Sequence, residues 1–365
     1  MKNNKVLIII LCVLLAVIIV GGGVGYSFLP HPFNYKIKDI APLGRETAEI
    51  VSESTDGVVL KKKDAGEFKV LLFTDLHLDG KNKTTNITLE NMIKSIQNEK
   101  PDLVLFGGDN VTSALNRKRA GQFAEIFEKL GVYWGGVIGN HEGDNPYSIK
   151  REEMVNIFAS HERCIMRNGP DDIDGNCNYA ISLLNSEGRH LETIFCLDTF
   201  DEMSDELKEY YGYDDEGTPW DGAHENQVAW FREKAVSLKN DYGDYKSIML
   251  MHIPLPQMRD AAESGSFIRG AQNEGVCATV FDSGLFDAMK ENGVSAAYFG
   301  HDHNNNFAVI ADGIELAYLE TSGYGSYGLH KKDYPESEWL QGYSVMNFME
   351  DRYTFNLYKY YDVLK

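Results

Sequence analysis

The chain reads as an α/β protein, for three reasons. Short apolar runs rich in Val, Leu and Phe recur along it, with the length and composition of buried strands. Between the first three runs lie stretches with apolar residues at helical spacing, the pattern of parallel strand–helix–strand crossovers. Five of the runs stop at Asp, Asn or His, and strand ends in such sheets place side chains in a crevice. The chain has 365 residues, enough for one large domain or two small ones once an apolar N-terminus is set aside. Its 35 basic and 55 acidic residues leave a net charge of −20, which repels polyanions and argues against a nonspecific nucleic-acid binder.

Lys2 and Lys5 precede an apolar stretch that runs to Leu29, and no further Lys, Arg, Asp or Glu occurs before Lys36. Such a stretch spans a bilayer of about 30 Å hydrocarbon at about 1.5 Å per residue. The flanking lysines put the N-terminus in the cytoplasm and the rest outside. Residues 1–29 are expected to be a retained signal-anchor or a cleaved signal peptide, and the lack of a clear Ala-x-Ala site favours the anchor. The expected location is the cell membrane, single-pass with an extracytoplasmic domain, or secretion if the segment is cleaved. Residues 30–66 are polar and are expected to be a linker followed by an edge strand at Gly57–Leu60. The main domain is expected over residues 67–365.

The first strand is Phe68–Phe73, and it ends in Thr74-Asp75-Leu76-His77. An Asp oxygen and a His nitrogen two positions apart make a pair of donors for a divalent metal. Leu89, Met92, Ile93 and Ile96 then mark a helix stopped before Pro101. Asp102–Phe106 is the next strand and delivers Gly107-Gly108-Asp109-Asn110. Phe123, Ile126, Phe127 and Leu130 form a second helical stripe, ended by Gly131. Tyr133–Ile138 leads into Gly139-Asn140-His141-Glu142. Residues 148–160 suggest a further helix, and 178–184 and 191–197 read as strands of a second sheet. Residues 200–225 are dense in Asp, Glu, Tyr and Gly, and read either as an insertion near the mouth of a site or as an acidic surface loop. Ser247–Met251 ends in His252, and Ser295–Phe299 ends in Gly300-His301-Asp302-His303. Residues 307–310, 314–319, 343–348 and 353–358 are expected to close the sheets. Glycines flank three of the polar strand ends and let the backbone turn tightly toward a shared centre.

The ordered set Asp75-Leu76-His77, Gly108-Asp109-Asn110, Gly139-Asn140-His141-Glu142, Met251-His252 and Gly300-His301-Asp302-His303 resembles the calcineurin-like metallophosphoesterases. The spacing is most similar to the bacterial branch related to purple acid phosphatases. Those enzymes carry a tyrosine ligand shortly after the first aspartate, where His77 stands here. The resemblance implies a four-layer α/β/β/α sandwich. It implies that Asp75, His77 and His303 hold one metal, that Asn140, His252 and His301 hold another, and that Asp109 bridges. A nitrogen–oxygen donor set without thiolate suits manganese, iron or zinc, as two divalent or mixed-valence ions. The implied reaction is attack of a metal-bridging hydroxide on a small phosphate ester, with a monoester as the expected substrate. Two alternatives stand beside it: a phosphodiesterase acting on nucleotides or lipid head groups, and a metal-holding binding module with little turnover. The histidine matching His141 faces substrate in the family, so His141 is expected to act as general acid.

Asp302 lies between two of these histidines and is expected either to orient them or to face solvent. Arg259 or Arg269 is a candidate for a phosphate oxygen, with a surface arginine the favoured reading. Of the other histidines, His224 in the acidic segment alone is worth following. A Cys164–Cys177 disulfide is open, as are free thiols.

Overall fold

Ala48–Ser54 (β1) and Gly57–Lys62 (β2) form an antiparallel hairpin, and β2 also pairs in parallel with Tyr179–Leu184 further along the chain. The structure, a computed structural model, describes residues 32–213, 219–331 and 334–364. The hairpin corrects the expected linker and edge strand. Gly57–Leu60 lies inside a sheet, and β1, unforeseen, takes the edge. The sequence of β1, Ala-Glu-Ile-Val-Ser-Glu-Ser, is half charged or polar, and its alternation was too weak to mark a strand.

Next come Phe68–Phe73 (β3), Leu103–Gly107 (β4) and Tyr133–Val137 (β5), paired in parallel. Helices Asn82–Glu99 (α1) and Arg117–Leu130 (α2) make the crossovers. Gly131 ends α2 in the left-handed conformation, with its N–H on the Phe127 carbonyl. The apolar face of α2 buries Phe123 and Phe127 against Phe106 and Trp134, with the Phe127 and Trp134 ring centroids 4.7 Å apart. Each such ring contributes roughly 1.5–3 kcal/mol by leaving water. This aromatic block anchors the ends of β4 and β5, from which Asp109 and Asn140 emerge. Arg151–Ala159 (α3) follows.

Tyr179–Leu184 (β6) and His190–Cys196 (β7) open the larger sheet. Asp205–Tyr211 (α4) and Glu225–Tyr242 (α5) precede Ser247–Leu250 (β8). Pro256–Glu263 (α6), Phe267–Arg269 (β9), Leu285–Glu291 (α7) and Val294–Phe299 (β10) come next. Ala308–Ala311 (β11) and Ile314–Tyr318 (β12) stay with this sheet, whose order is β1-β2-β6-β7-β8-β10-β12-β11-β9. Gly342–Phe348 (β13) and Tyr353–Lys359 (β14) return to the first sheet, ordered β14-β13-β3-β4-β5.

The larger sheet is covered on both faces. Along β8, Ile248 and Leu250 join the core shared with the five-stranded sheet, while Met249 packs in a second core with Phe231 of α5 and Met289 of α7. Successive strand residues point to opposite faces, so a sheet buried on both sides reads as a continuous apolar run. This mixed α/β arrangement of two sheets with helices is compatible with the expected sandwich.

Cys164 and Cys177 are both buried free thiols, so the disulfide is not formed. The expected membrane segment, 1–29, lies outside the described residues. No helix among the described residues is long and apolar enough to cross a membrane.

Candidate metal centre

The strand ends of β3, β4, β5, β8 and β10 meet in one place. Beyond β3 the chain stays tied to the end of β4: the N–H groups of Asp75, His77 and Leu78 donate to the carbonyls of Gly108, Asp109 and Asn110 at 3.0, 2.9 and 2.9 Å. Asp75, His77, Asp109 and His301 all have positive φ, at 55°, 45°, 54° and 78°. Left-handed backbone at a residue with a side chain costs on the order of 1–3 kcal/mol and collects at functional sites. Glycine gives the remaining room at two points. A Cβ on Gly139 would lie 2.3 Å from an Asp109 oxygen, and one on Gly300 would lie 2.1 Å from the Thr74 hydroxyl.

All seven expected ligand side chains converge there, each nine-tenths buried or more. His77 Nε2 and His303 Nε2 face each other at 3.1 Å. Asp75 Oδ1 lies 3.2 Å from His303 Nε2. Asn140 Oδ1 lies 2.9 Å from His252 Nε2 and 3.0 Å from His301 Nδ1. One oxygen, Asp109 Oδ2, is 3.4 Å from His77 Nε2 and 3.3 Å from His252 Nε2. It therefore stands between the two groups.

The donor set fits metal ions. His252 Nδ1 donates to the Gly107 carbonyl at 2.7 Å, and His303 Nδ1 to the Tyr327 carbonyl at 3.0 Å. Those bonds place the lone pair of each neutral ring on Nε2, facing inward toward oxygen atoms. A lone pair aimed at an oxygen is attractive only when a proton or a cation sits between them. Ligand atoms of Asp75, His77, Asp109 and His303 all lie within 4.8 Å of one another.

Without an ion, protons take that role unevenly. Burial holds His77 and His301 down to about 3, so both rings are neutral. Burial also opposes charge on His252, but Asp109 outweighs it and draws the ring up to about 9. Asp75 resists ionisation through burial, yet His303 holds it down to about 2.

Several supporting side chains were given no role of their own by the sequence. Glu142, wholly buried, accepts N–H bonds from Asp109 at 3.1 Å, Gly139 at 2.9 Å and Asn110 at 2.5 Å. One carboxylate thus straps together the two loops that carry Asp109 and Asn140. Burial first, and then the charge of Asp109, raise it to about 7. Arg151 donates to the Gly139 carbonyl and to Asp198, tying the same loop to the larger sheet. Trp220, in the acidic segment, sets its ring against His301 at 4.6 Å. Tyr327 stacks on His303 at 4.2 Å. That acidic segment does reach the site, through Trp220.

Four expected or watched residues lie elsewhere. Asp302 neither orients the neighbouring imidazoles nor meets solvent; it is buried and accepts from the Tyr318 hydroxyl and the Cys277 N–H. Arg259 pairs with Asp260. Arg269 pairs with Glu315 at 2.6 Å and lies over Phe355. His224 caps α5 and sits between Asp174 and Asp221. His141, by contrast, lines an open cleft of about 240 Å³ with His77, Asp144 and Ser113, and its ring centroid is 5.2 Å from that of His77.

Comparison with known proteins adds relatives of one kind. Probable inactive purple acid phosphatase 14 of Arabidopsis thaliana is 27% identical over 299 residues, 72% of this chain and 72% of that protein. Probable inactive purple acid phosphatase 29 of the same plant is 28% identical over 301 residues, 72% of this chain and 74% of that one. Phosphatase DCR2 of Saccharomyces cerevisiae is 24% identical over 291 residues, 69% of this chain and 47% of that protein. The family model of the calcineurin-like phosphoesterases matches residues 68–305, from the first residue of β3 to just past His303. This chain belongs to the calcineurin-like phosphoesterase family.

Proposed function

We propose that this chain hydrolyses small phosphate monoesters at a pair of transition-metal ions. The observation that carries the reading is the position of Asp109 Oδ2, within 3.4 Å of a nitrogen in each histidine group. Asp75, His77 and His303 would hold one ion, Asn140, His252 and His301 the other, and Asp109 both. When bound, such a pair neutralises the ester and acidifies water.

The rest is done by side chains. The His141 N–H donates to Asp109 Oδ1 at 2.8 Å, which fixes the carboxylate so that Oδ2 points between the two groups. Burial opposes charge on the His141 ring, but Asp144, 2.6 Å from Nδ1, outweighs it and brings the ring to about 9. The imidazole is then protonated at neutral pH. With Nδ1 on Asp144, Nε2–H is left to protonate the departing oxygen. Trp220 and Tyr327 pack on the ligand imidazoles and keep them from turning away.

The test strips the protein of metal and restores manganese, iron or zinc separately. Bound metal is counted while nitrophenyl phosphate and bis-nitrophenyl phosphate are assayed side by side. Activity that rises with the second equivalent, on the monoester, supports the proposal. Preference for the diester selects the phosphodiesterase alternative, and no bound metal refutes both. The naming of plant relatives as inactive favours a second reading, a metal-holding module, for which two ions bind and neither ester is cleaved. Export and anchoring of the domain are proposed from residues 1–29 alone, and protection of the domain from protease in intact cells would refute them.

A further inference from the structure

A second pocket lies behind the loop that seats His77 and His303. It measures about 250 Å³ and is lined by Tyr324, Trp339, Tyr360, Glu336 and Gln341, among others. Tyr324 and Trp339 have ring centroids 6.4 Å apart at 72°, and Tyr324 and Tyr360 are 6.4 Å apart at 19°. Trp339 thus meets Tyr324 edge to face and Tyr360 lies nearly parallel to it, with the His330 ring 5.4 Å from Tyr324 and 6.1 Å from Trp339. The faces of such rings carry negative potential and attract a cation within about 6 Å of the centroid. Glu336 adds a formal negative charge at the rim, close enough to oppose ionisation of Tyr324.

The floor holds a polar group without its full set of partners. Gln341 is 2% exposed, its amide nitrogen is bonded to His330 Nδ1 at 2.8 Å, and its Oε1 has no partner among the described residues. Turning the amide over would only exchange which of its two atoms is left unpaired. Leaving such a group unpaired costs about 1–3 kcal/mol. The pocket thus offers aromatic walls and an anionic rim.

We propose that this pocket binds an organic ammonium ion of the size of choline, with the ammonium against the aromatic rings beside Glu336. The net charge of −20 draws cations to this surface and repels anions. The site adjoins the metal centre without sharing a ligand. Tyr324 is its wall, Tyr327 three residues on stacks on His303, and Gly323 and Gly325 press so closely on Leu76 and His77 that a Cβ would lie 2.3 and 2.2 Å from their carbonyl oxygens.

The test is calorimetric titration of the full chain, in a maltoside detergent free of ammonium groups, with choline and with its uncharged carbon isostere, 3,3-dimethylbutanol. Saturable choline binding, at least tenfold tighter than the isostere, is expected. Glu336→Gln and Trp339→Leu each weaken it at least fivefold, and both residues sit on a surface turn where substitution leaves the core intact. No choline binding overturns the proposal. Equal binding of the isostere overturns it in favour of a plain apolar pocket. Unchanged affinity in both variants places the cation elsewhere and also overturns it. No metal is required in the cell, so failure of the phosphoesterase reading and failure of this one are told apart.

Discussion

The two halves of the candidate metal centre each set two histidines against one oxygen side chain, but they differ in charge. In one, His77 and His303 meet the carboxylate of Asp75. In the other, His252 and His301 meet the neutral amide of Asn140. Asp109 lies within 3.4 Å of a nitrogen in each, so the first half has one more carboxylate than the second. The backbone differs too. Asp75 and His77 have positive φ in the first half, against His301 alone in the second. Under the proposed function, the first half would hold its ion the more tightly, and the second would leave its ion's charge less neutralised and so better able to polarise an ester.

The largest effect is expected where the halves join. Asp109→Asn removes the only shared carboxylate, and the loss of several kcal/mol of charge stabilisation lowers turnover roughly 10³-fold or more. Metal analysis of that variant should find less than the full pair, and a full pair with full activity would contradict the bridging role.

His141→Ala leaves both halves intact and removes the proposed acid. Turnover is expected to fall about 10²-fold or more for alkyl esters and far less for nitrophenyl phosphate, whose leaving group needs no proton. Bound metal should be unchanged. Lost metal would make His141 a structural part of the centre instead.

Asn140→Asp makes the halves alike in charge. The second equivalent should bind about tenfold tighter, while turnover drops several-fold because the added charge offsets that of the ion. Equal or weaker binding would show that geometry, not charge, separates the halves.

The smallest effect lies outside both halves and reports on the body that carries them. Glu192 on β7 is buried, and burial raises it to about 8. Its folded-state value exceeds the unfolded value of about 4.3, so its contribution is full below that value and is lost as pH rises toward 8. Glu192→Gln should therefore flatten the decline in stability between about pH 5 and 8, and exceed the parent by on the order of 2 kcal/mol at pH 8.5. Denaturant midpoints across that range check it, with metal affinity expected to stay the same.

The strand ends that converge at the candidate metal centre were legible because each rests on a local pattern. A buried strand must be apolar for its whole length, and a donor just past its end stands out against that run. β1 had no such contrast, and only pairing with β2 makes it a strand. Asp302 shows the opposite error. Its place between two histidines suggested a shared task, but in the structure its carboxylate turns to Tyr318 and Cys277. Neighbours in sequence near a strand end point in different directions, so adjacency says little about contact.

By itself the sequence determined the α/β class and the parallel first half of the chain, and it pointed to seven side chains that the structure brings together. These follow from side-chain periodicity and from where apolar runs stop, which are properties of a few consecutive residues. Tertiary structure decided the rest. It assigned β11 and β12 to one sheet and β13 and β14 to the other, left Cys164 and Cys177 apart as thiols, and brought Arg151 to Asp198 across 47 positions. It also gave Glu142 three backbone donors from two loops and set Trp220 and Tyr327 against the ligand imidazoles. Such contacts depend on how the two sheets close on each other, and no local pattern carries that information.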